Sequence, residues 1–271
     1  MTDPKIPILM YHEVLGSDVA EASRYMSPHY ILRSAVFEEH LRAFADGGYR
    51  GLLLDEAGKA GDDGKYVVLT FDDGLEGNIK YALPLLRAYG FRATFFITVN
   101  FVGTPRFMGW EDLECLVREG MSVQSHTLSH RHLNTLSEED IAYELHESKR
   151  HLEQRLGNEV HSLSFPHGSY DPRTVRLAGE SGYRFLCTSE VQRMYRRSFS
   201  AQPAVVGRLA ITNRMRTGQL LKWLEYDSMQ MLKTRLSKDA KNLLKRVIGA
   251  NNYGRLYRYF FSIKKQHTPL R

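Results

Sequence analysis

The 271-residue chain has only two cysteines, Cys115 and Cys187, with no C-x-x-C pair. A disulfide scaffold or a zinc ribbon needs more cysteine than this, so both are expected to be reduced structural thiols. No hydrophobic run approaches the length of a membrane span. The opening Met1-Thr2-Asp3-Pro4-Lys5-Ile6-Pro7 lacks the charged region and long apolar segment of a secretory leader, and the expectation is a cytoplasmic protein. No nucleic-acid-reading motif accompanies the net charge of +6, which argues against a nucleic-acid partner. What remains, 42% apolar and 25% charged, is the composition of a soluble globular protein. Its length suits one barrel-sized domain or two smaller ones.

Short apolar runs predict strands near 6–11, 67–71, 93–99, 121–124, 162–165, 185–188 and 204–211. Helical patterns fall between them at 35–46, 78–89, 110–119, 138–156 and 172–181. This alternation predicts an α/β fold with a parallel sheet. Ser137 before Glu138-Glu139-Asp140 reads as an N-cap followed by acids in the first helical turn.

Two clusters follow strands. The first is Thr70-Phe71-Asp72-Asp73-Gly74, and the second is His126-Thr127-Leu128-Ser129-His130. An Asp-Asp-Gly alone is as often a solvated turn as a site. Together with His-x-x-x-His after a second strand, it offers what a catalytic divalent site needs: three protein ligands, Asp73, His126 and His130, with a position left for water. Mixed histidine and carboxylate donors suit zinc, with cobalt or nickel as alternatives. Asp72 is then the spare carboxylate able to take a proton from a water whose pKa the ion lowers. Gly74 suits the turn that lets adjacent aspartates reach one pocket.

These two motifs resemble the first two of the polysaccharide deacetylases, the NodB-homology group also called carbohydrate esterase family 4. The resemblance implies a distorted (β/α) barrel of about seven strands, metal-dependent removal of N-acetyl groups from an amino sugar, Asp72 as base, and Asp73, His126 and His130 as ligands. The family's third motif, Arg-x-Pro-x-Gly, corresponds here to Ser164-Phe165-Pro166-His167-Gly168. The arginine that orients the base is therefore missing, and Arg208 is the candidate replacement. Pro166, His167, Gly168 and Tyr170, together with Arg208, are the expected substrate-side residues, and the His167 backbone N–H is the implied oxyanion donor. Trp110 and Tyr11 are read either as sugar-stacking or as core.

The family's late Leu-x-x-His has no counterpart after residue 190, but Leu9-Met10-Tyr11-His12 carries that form at the start. First and last strands of a closed barrel are neighbours. The order is thus similar to the circularly permuted branch that includes poly-N-acetylglucosamine deacetylases, and it makes His12 the implied acid for the leaving amine.

Residues 217–271 hold 12 Lys/Arg and 3 Asp/Glu, a net of +9, so 1–216 must be acidic at −3. The expected division is a barrel over 1–216 and a basic, aromatic helical extension over 217–271. The extension's partner is either the face of an anionic membrane or lipid-linked glycan, or the barrel or a second subunit. Carbohydrate is the implied substrate partner. A carbohydrate-binding protein without chemistry, or an amidase or deformylase acting on a non-acetyl group, remains an alternative.

Overall fold

The computed structural model describes residues 3–16, 26–227, 229 and 231. The chain divides into two compact units, Met1–Glu225 and Tyr226–Arg271. The first unit runs past residue 216 because helix Thr217–Leu224 buries Leu220, Trp223 and Leu224. The part of the expected basic, aromatic helical extension beyond residue 231 lies outside the described residues. Among those described, no helix is long and apolar enough to cross a membrane.

The main sheet is parallel. Its strands are β1 (Ile8–Tyr11), β4 (Tyr49–Leu52), β5 (Lys65–Phe71), β6 (Thr94–Ile97), β7 (Ser122–Ser125), β8 (Ser162–Ser164), β9 (Phe185–Cys187), β10 (Ala204–Val206) and β11 (Leu209–Ala210). The order is β10-β9-β8-β7-β6-β5-β1-β11, with β4 also on β5. A separate pair joins β2 (Glu13–Leu15) to β3 (Ile31–Arg33).

The strand order itself requires curling. β10 and β11 stand at opposite ends of the list, yet only Gly207 and Arg208 separate them. Three Cα steps reach at most about 11 Å, so the two edges must come side by side. The result is the distorted (β/α) barrel expected from the sequence. β1 pairs with both β5 and β11, so the first and last strands are neighbours.

Helices α1 (Ser34–Asp46), α2 (Leu83–Ala88), α3 (Trp110–Arg118), α4 (Glu138–Leu156), α5 (Pro172–Glu180) and α6 (Thr217–Leu224) follow the predicted pattern, with Ser137 accepting the Asp140 N–H as N-cap of α4. Three details depart from it. The helix expected over 78–89 opens with a π-helical turn, Asn78–Ala82, before α2. The strand expected over 204–211 breaks at Gly207-Arg208. β4, Tyr-Arg-Gly-Leu, has too weak an apolar pattern to announce itself, and it pairs with β5 at Tyr49↔Lys65 through Leu52↔Val68.

Inside the barrel, Ile8, Val68, Phe96, Cys187 and Val206 pack with Leu54, Ala57 and Phe199. Cys115 and Cys187 are both free.

Candidate active site

Period-two alternation along β5 decides where its side chains go. Val68 belongs to the interior core, and Thr70 and Asp72 follow it on the same face. Phe71 points the other way, stacking on Tyr11 (5.3 Å) and Phe95 (4.8 Å) and meeting Phe37 of α1 edge-on. At the strand end the chain turns through left-handed conformations at Asp73 (φ 76°) and Gly74 (φ 83°). That turn brings two successive carboxylates to one place, which extended backbone would forbid.

Asp73 meets the second motif there. Its Oδ1 lies 3.3 Å from His126 Nε2 and 3.2 Å from His130 Nε2. The three donor atoms fall within 4.8 Å of one another. His126 Nδ1 donates to the Ser164 carbonyl at 2.8 Å, which orients the ring so that Nε2 faces the cluster, as a donor to Asp73 when protonated and as a lone pair for an ion when not. One carboxylate and two imidazoles, with His126 buried and the other two partly open, fit a divalent ion with an accessible coordination position. Burial disfavours charge on Asp73, but the hydrogen bonds to His126 and His130 outweigh it and hold the carboxyl well below its ordinary range.

Asp72 has different company. Arg208 donates to both of its oxygens, Nη1 to Oδ1 at 2.7 Å and Nη2 to Oδ2 at 2.8 Å, and the Ser164 hydroxyl donates to Oδ2 at 3.0 Å. Arg208 also donates to Thr70 Oγ1 (3.1 Å), Ser164 Oγ (2.7 Å) and the Thr188 carbonyl (3.2 Å). Its five N–H donors are thereby all used. At 1% exposure, with Asp72 at 3%, Arg208 is no substrate contact; the sequence grouping it with the groove residues is corrected. It holds Asp72, as the missing motif arginine was expected to, and Ser164 at the vacated position joins the network. Burial opposes ionisation of Asp72, yet the charges of Arg208 and His126 keep its carboxyl below the usual value.

His12 follows β1 as Asp72 follows β5. The strands are in register at Tyr11↔Phe71, and the Asp72 N–H bonds the Tyr11 carbonyl at 3.0 Å. His12 packs against Tyr30 (4.5 Å between rings), and burial lowers its pKa against the opposing pull of Asp73 and Asp72.

The third motif forms a wall. Pro166 is buried, and His167 is exposed at φ 59°. The His167 ring stacks on His132 (4.0 Å) and stands edge-on to His130 (4.5 Å). Although the residue as a whole is exposed, desolvation of its ring by the imidazoles packed on it, and their charges, push its pKa down to about 4. Tyr170 stacks on Phe165 (5.3 Å) and its hydroxyl donates to Glu190 (3.0 Å). Tyr11 is core, its hydroxyl against His40 Nδ1 at 3.3 Å. Trp110 lies under the Arg155 guanidinium.

His132 and Glu144 escaped the sequence reading. His132 lies two residues beyond the motif and gives no signal of its own. Glu144 did leave one: it interrupts the buried stripe Ile141, Leu145, Ser148 and Leu152 of α4, and a carboxylate on a buried helix face needs a partner.

Among known proteins, the family description "polysaccharide deacetylase" matches residues 59–186. The putative polysaccharide deacetylase YxkH of Bacillus subtilis (strain 168) is 29% identical over 193 residues, 69% of this chain and 65% of that one. The chain spans less than two thirds of the length of the curated relatives it matches. The Streptococcus pyogenes deacetylase PplD, solved in complex with acetate, superposes with a TM-score of 0.73 at 25% identity, over 82% of this chain and 98% of that one. IcaB from Ammonifex degensii shares the fold, with a TM-score of 0.69 at 24% identity over 83% and 98%. With its two motifs converging on one end of the barrel, the chain carries a polysaccharide deacetylase domain over residues 59–186.

Proposed function

We propose that this protein is a metal-dependent hydrolase that removes N-acetyl groups from an amino sugar of a poly- or oligosaccharide, or of its lipid- or nucleotide-linked precursor. The observation that carries the reading is the pairing of a buried, doubly anchored carboxylate, Asp72, with an adjacent three-donor cluster, Asp73, His126 and His130. A similar protein, 27% identical over 127 residues, is the peptidoglycan-N-acetylglucosamine deacetylase of Bacillus cereus (strain ATCC 14579).

A divalent ion held by Asp73, His126 and His130, zinc by preference and cobalt or nickel by substitution, would supply Lewis acidity toward water and the acetyl carbonyl. Asp72, kept ionised by Arg208 and aimed by Ser164, accepts the proton of the attacking water. The His167 backbone N–H serves the developing oxyanion. His12 starts neutral; negative charge growing beside it in the reaction raises its proton affinity, so it takes up a proton, balanced by the one Asp72 removed from water, and passes it to the departing nitrogen. Acetate and a free amine result. Pro166, Gly168 and Tyr170 shape the sugar-side wall.

A cytoplasmic location, with the part of the basic, aromatic segment that lies beyond residue 225 at an anionic membrane surface, belongs to the same reading. Flotation of the intact protein with anionic vesicles at low salt tests it, and absence of binding removes the membrane part.

The activity test is release of acetate, and separately of formate, from N-acetyl- and N-formyl-glucosamine oligomers by protein stripped of metal and then given zinc or cobalt. Metal-dependent acetate release is expected. Formate release alone would make the protein a deformylase, and silence despite tight metal uptake would make it a binding protein.

A further inference from the structure

The segment carrying the two histidines is an unfavourable piece of chain. Thr127 and His130 both hold left-handed φ, 68° and 61°, a conformation that non-glycine residues adopt only under strain. Such a loop keeps its shape only if its surroundings fix it. Strand-end contacts do part of this: Val99 N–H bonds the Thr127 carbonyl (3.2 Å) and Asn100 N–H the Leu128 carbonyl (2.9 Å). The rest comes from helix α4.

Glu144 of α4 is 3% exposed. Its Oε2 accepts the successive backbone N–H groups of Leu128 (3.0 Å) and Ser129 (2.9 Å), and Oε1 accepts the Ser129 hydroxyl. These two residues are the middle of His-x-x-x-His. One turn further along the same helix face, Ser148 bonds Ser125 Oγ (2.8 Å), which accepts the Thr127 N–H (3.1 Å). The helix thus grips the loop from two residues four apart, Ser148 at Ser125 and Glu144 at Leu128 and Ser129. No Lys or Arg pairs with Glu144 among the described hydrogen bonds and ion pairs; the polar hydrogens it gathers are those of the ligand loop. A buried carboxylate is costly unless its hydrogen bonds are productive, and here they go to the peptides that set the spacing of His126 and His130.

We infer that Glu144 is a positioning residue for the metal centre: it holds the backbone of Leu128 and Ser129 so that His126 and His130 present their Nε2 atoms together with Asp73. It touches no reacting atom. The inference rests on the metal-site reading above, and its test reads metal binding rather than turnover.

Cobalt(II) titration of the metal-free full-length protein, followed by the visible absorption of the bound ion, is the experiment. Glu144→Ala is expected to weaken cobalt binding by about 10–100-fold and to change the spectrum. Glu144→Gln should rescue it to within a few-fold of wild type, because the amide oxygen still accepts both N–H groups while the amide N–H donates to Ser129 Oγ. Melting of the metal-free variants shows whether the fold is intact. Should Glu144→Ala fail to fold, Glu144→Asp takes its place: it keeps the charge but withdraws the carboxylate by one methylene, so it should bind cobalt more weakly than Glu144→Gln. Wild-type affinity and spectrum in a folded Glu144→Ala or Glu144→Asp protein, or no rescue by Gln, would overturn the positioning role. A wild-type protein that takes up no cobalt would overturn the metal-site reading itself, and this inference with it.

Discussion

Asp72 and Asp73 are adjacent in sequence and live in different kinds of site. Asp72 is sealed in the barrel interior, with both oxygens bonded to Arg208 and a further bond from Ser164. Asp73 is partly open, on a left-handed turn, facing two imidazoles of which His130 is also partly open. The sealed network is made by side chains from the ends of β5 and β8 and the β10–β11 break, parts distant in sequence and rigid in the sheet. The open cluster is made by strained loops. A base needs a fixed position and a fixed charge, whereas a metal centre needs convergent lone pairs and access for water. One peptide bond separates these two solutions because the strand ends there.

The comparison breaks most severely at Arg208. Replacing it with Met leaves a buried carboxylate without its cation, and the expected loss is about 3–5 kcal/mol of unfolding free energy, measured by denaturant titration. In whatever protein remains folded, Asp72 should titrate higher, so the acidic limb of the activity profile moves up in pH, while cobalt uptake changes little. An unshifted limb would mean that Arg208 does not hold the base.

His12→Ala comes next. Loss of a proton donor is expected to lower turnover on an unactivated N-acetyl amide by about a hundredfold, with metal affinity unchanged. Full turnover would remove His12 from the reaction.

Acid sensitivity of the fold offers a third comparison, because it should come from neither aspartate at moderate pH. His40 is buried, and burial lowers its pKa from 6.5 to about 4. The unfolded chain therefore binds more protons between those values, and stability falls as pH drops through that window. The expected loss is about 2 kcal/mol at pH 5. Asp72 and Asp73, with depressed pKa values, add stability above the ordinary carboxylate value of 3.8 and lose it only below. Melting of metal-free wild type and His40→Gln at pH 7 and 5 checks this; equal pH dependence in both would contradict it.

The smallest effect is expected from Ser164→Ala. It removes one bond to Asp72 and one acceptor for Arg208, at roughly 1 kcal/mol in chemical denaturation, and it leaves the bidentate pair standing.

Much of this was legible in the chain. Strand-ending motifs have local signatures, so Asp72, Asp73, His126 and His130 could be grouped from the sequence, and the structure brings Asp73, His126 and His130 together; the alternation of apolar runs gave the α/β order. The pairing of first and last strands made His12 a reasonable choice. What stayed hidden is long-range. Arg208 was named only through the resemblance, as a candidate for the missing motif arginine; nothing local marks its bond to Asp72 across 136 residues. Ser164 looked like a loss and is a member of the network. Glu144 was visible only as a charge out of place on an apolar stripe.

The division of labour between the two aspartates is tested most directly by measuring cobalt affinity and acetate release side by side in Asp72→Asn and Asp73→Asn. The account predicts that Asp72→Asn binds cobalt within a few-fold of wild type and loses turnover by about a thousandfold, while Asp73→Asn fails to bind cobalt tightly. An Asp72→Asn protein that stays active, or an Asp73→Asn protein that binds cobalt as wild type does, would contradict it.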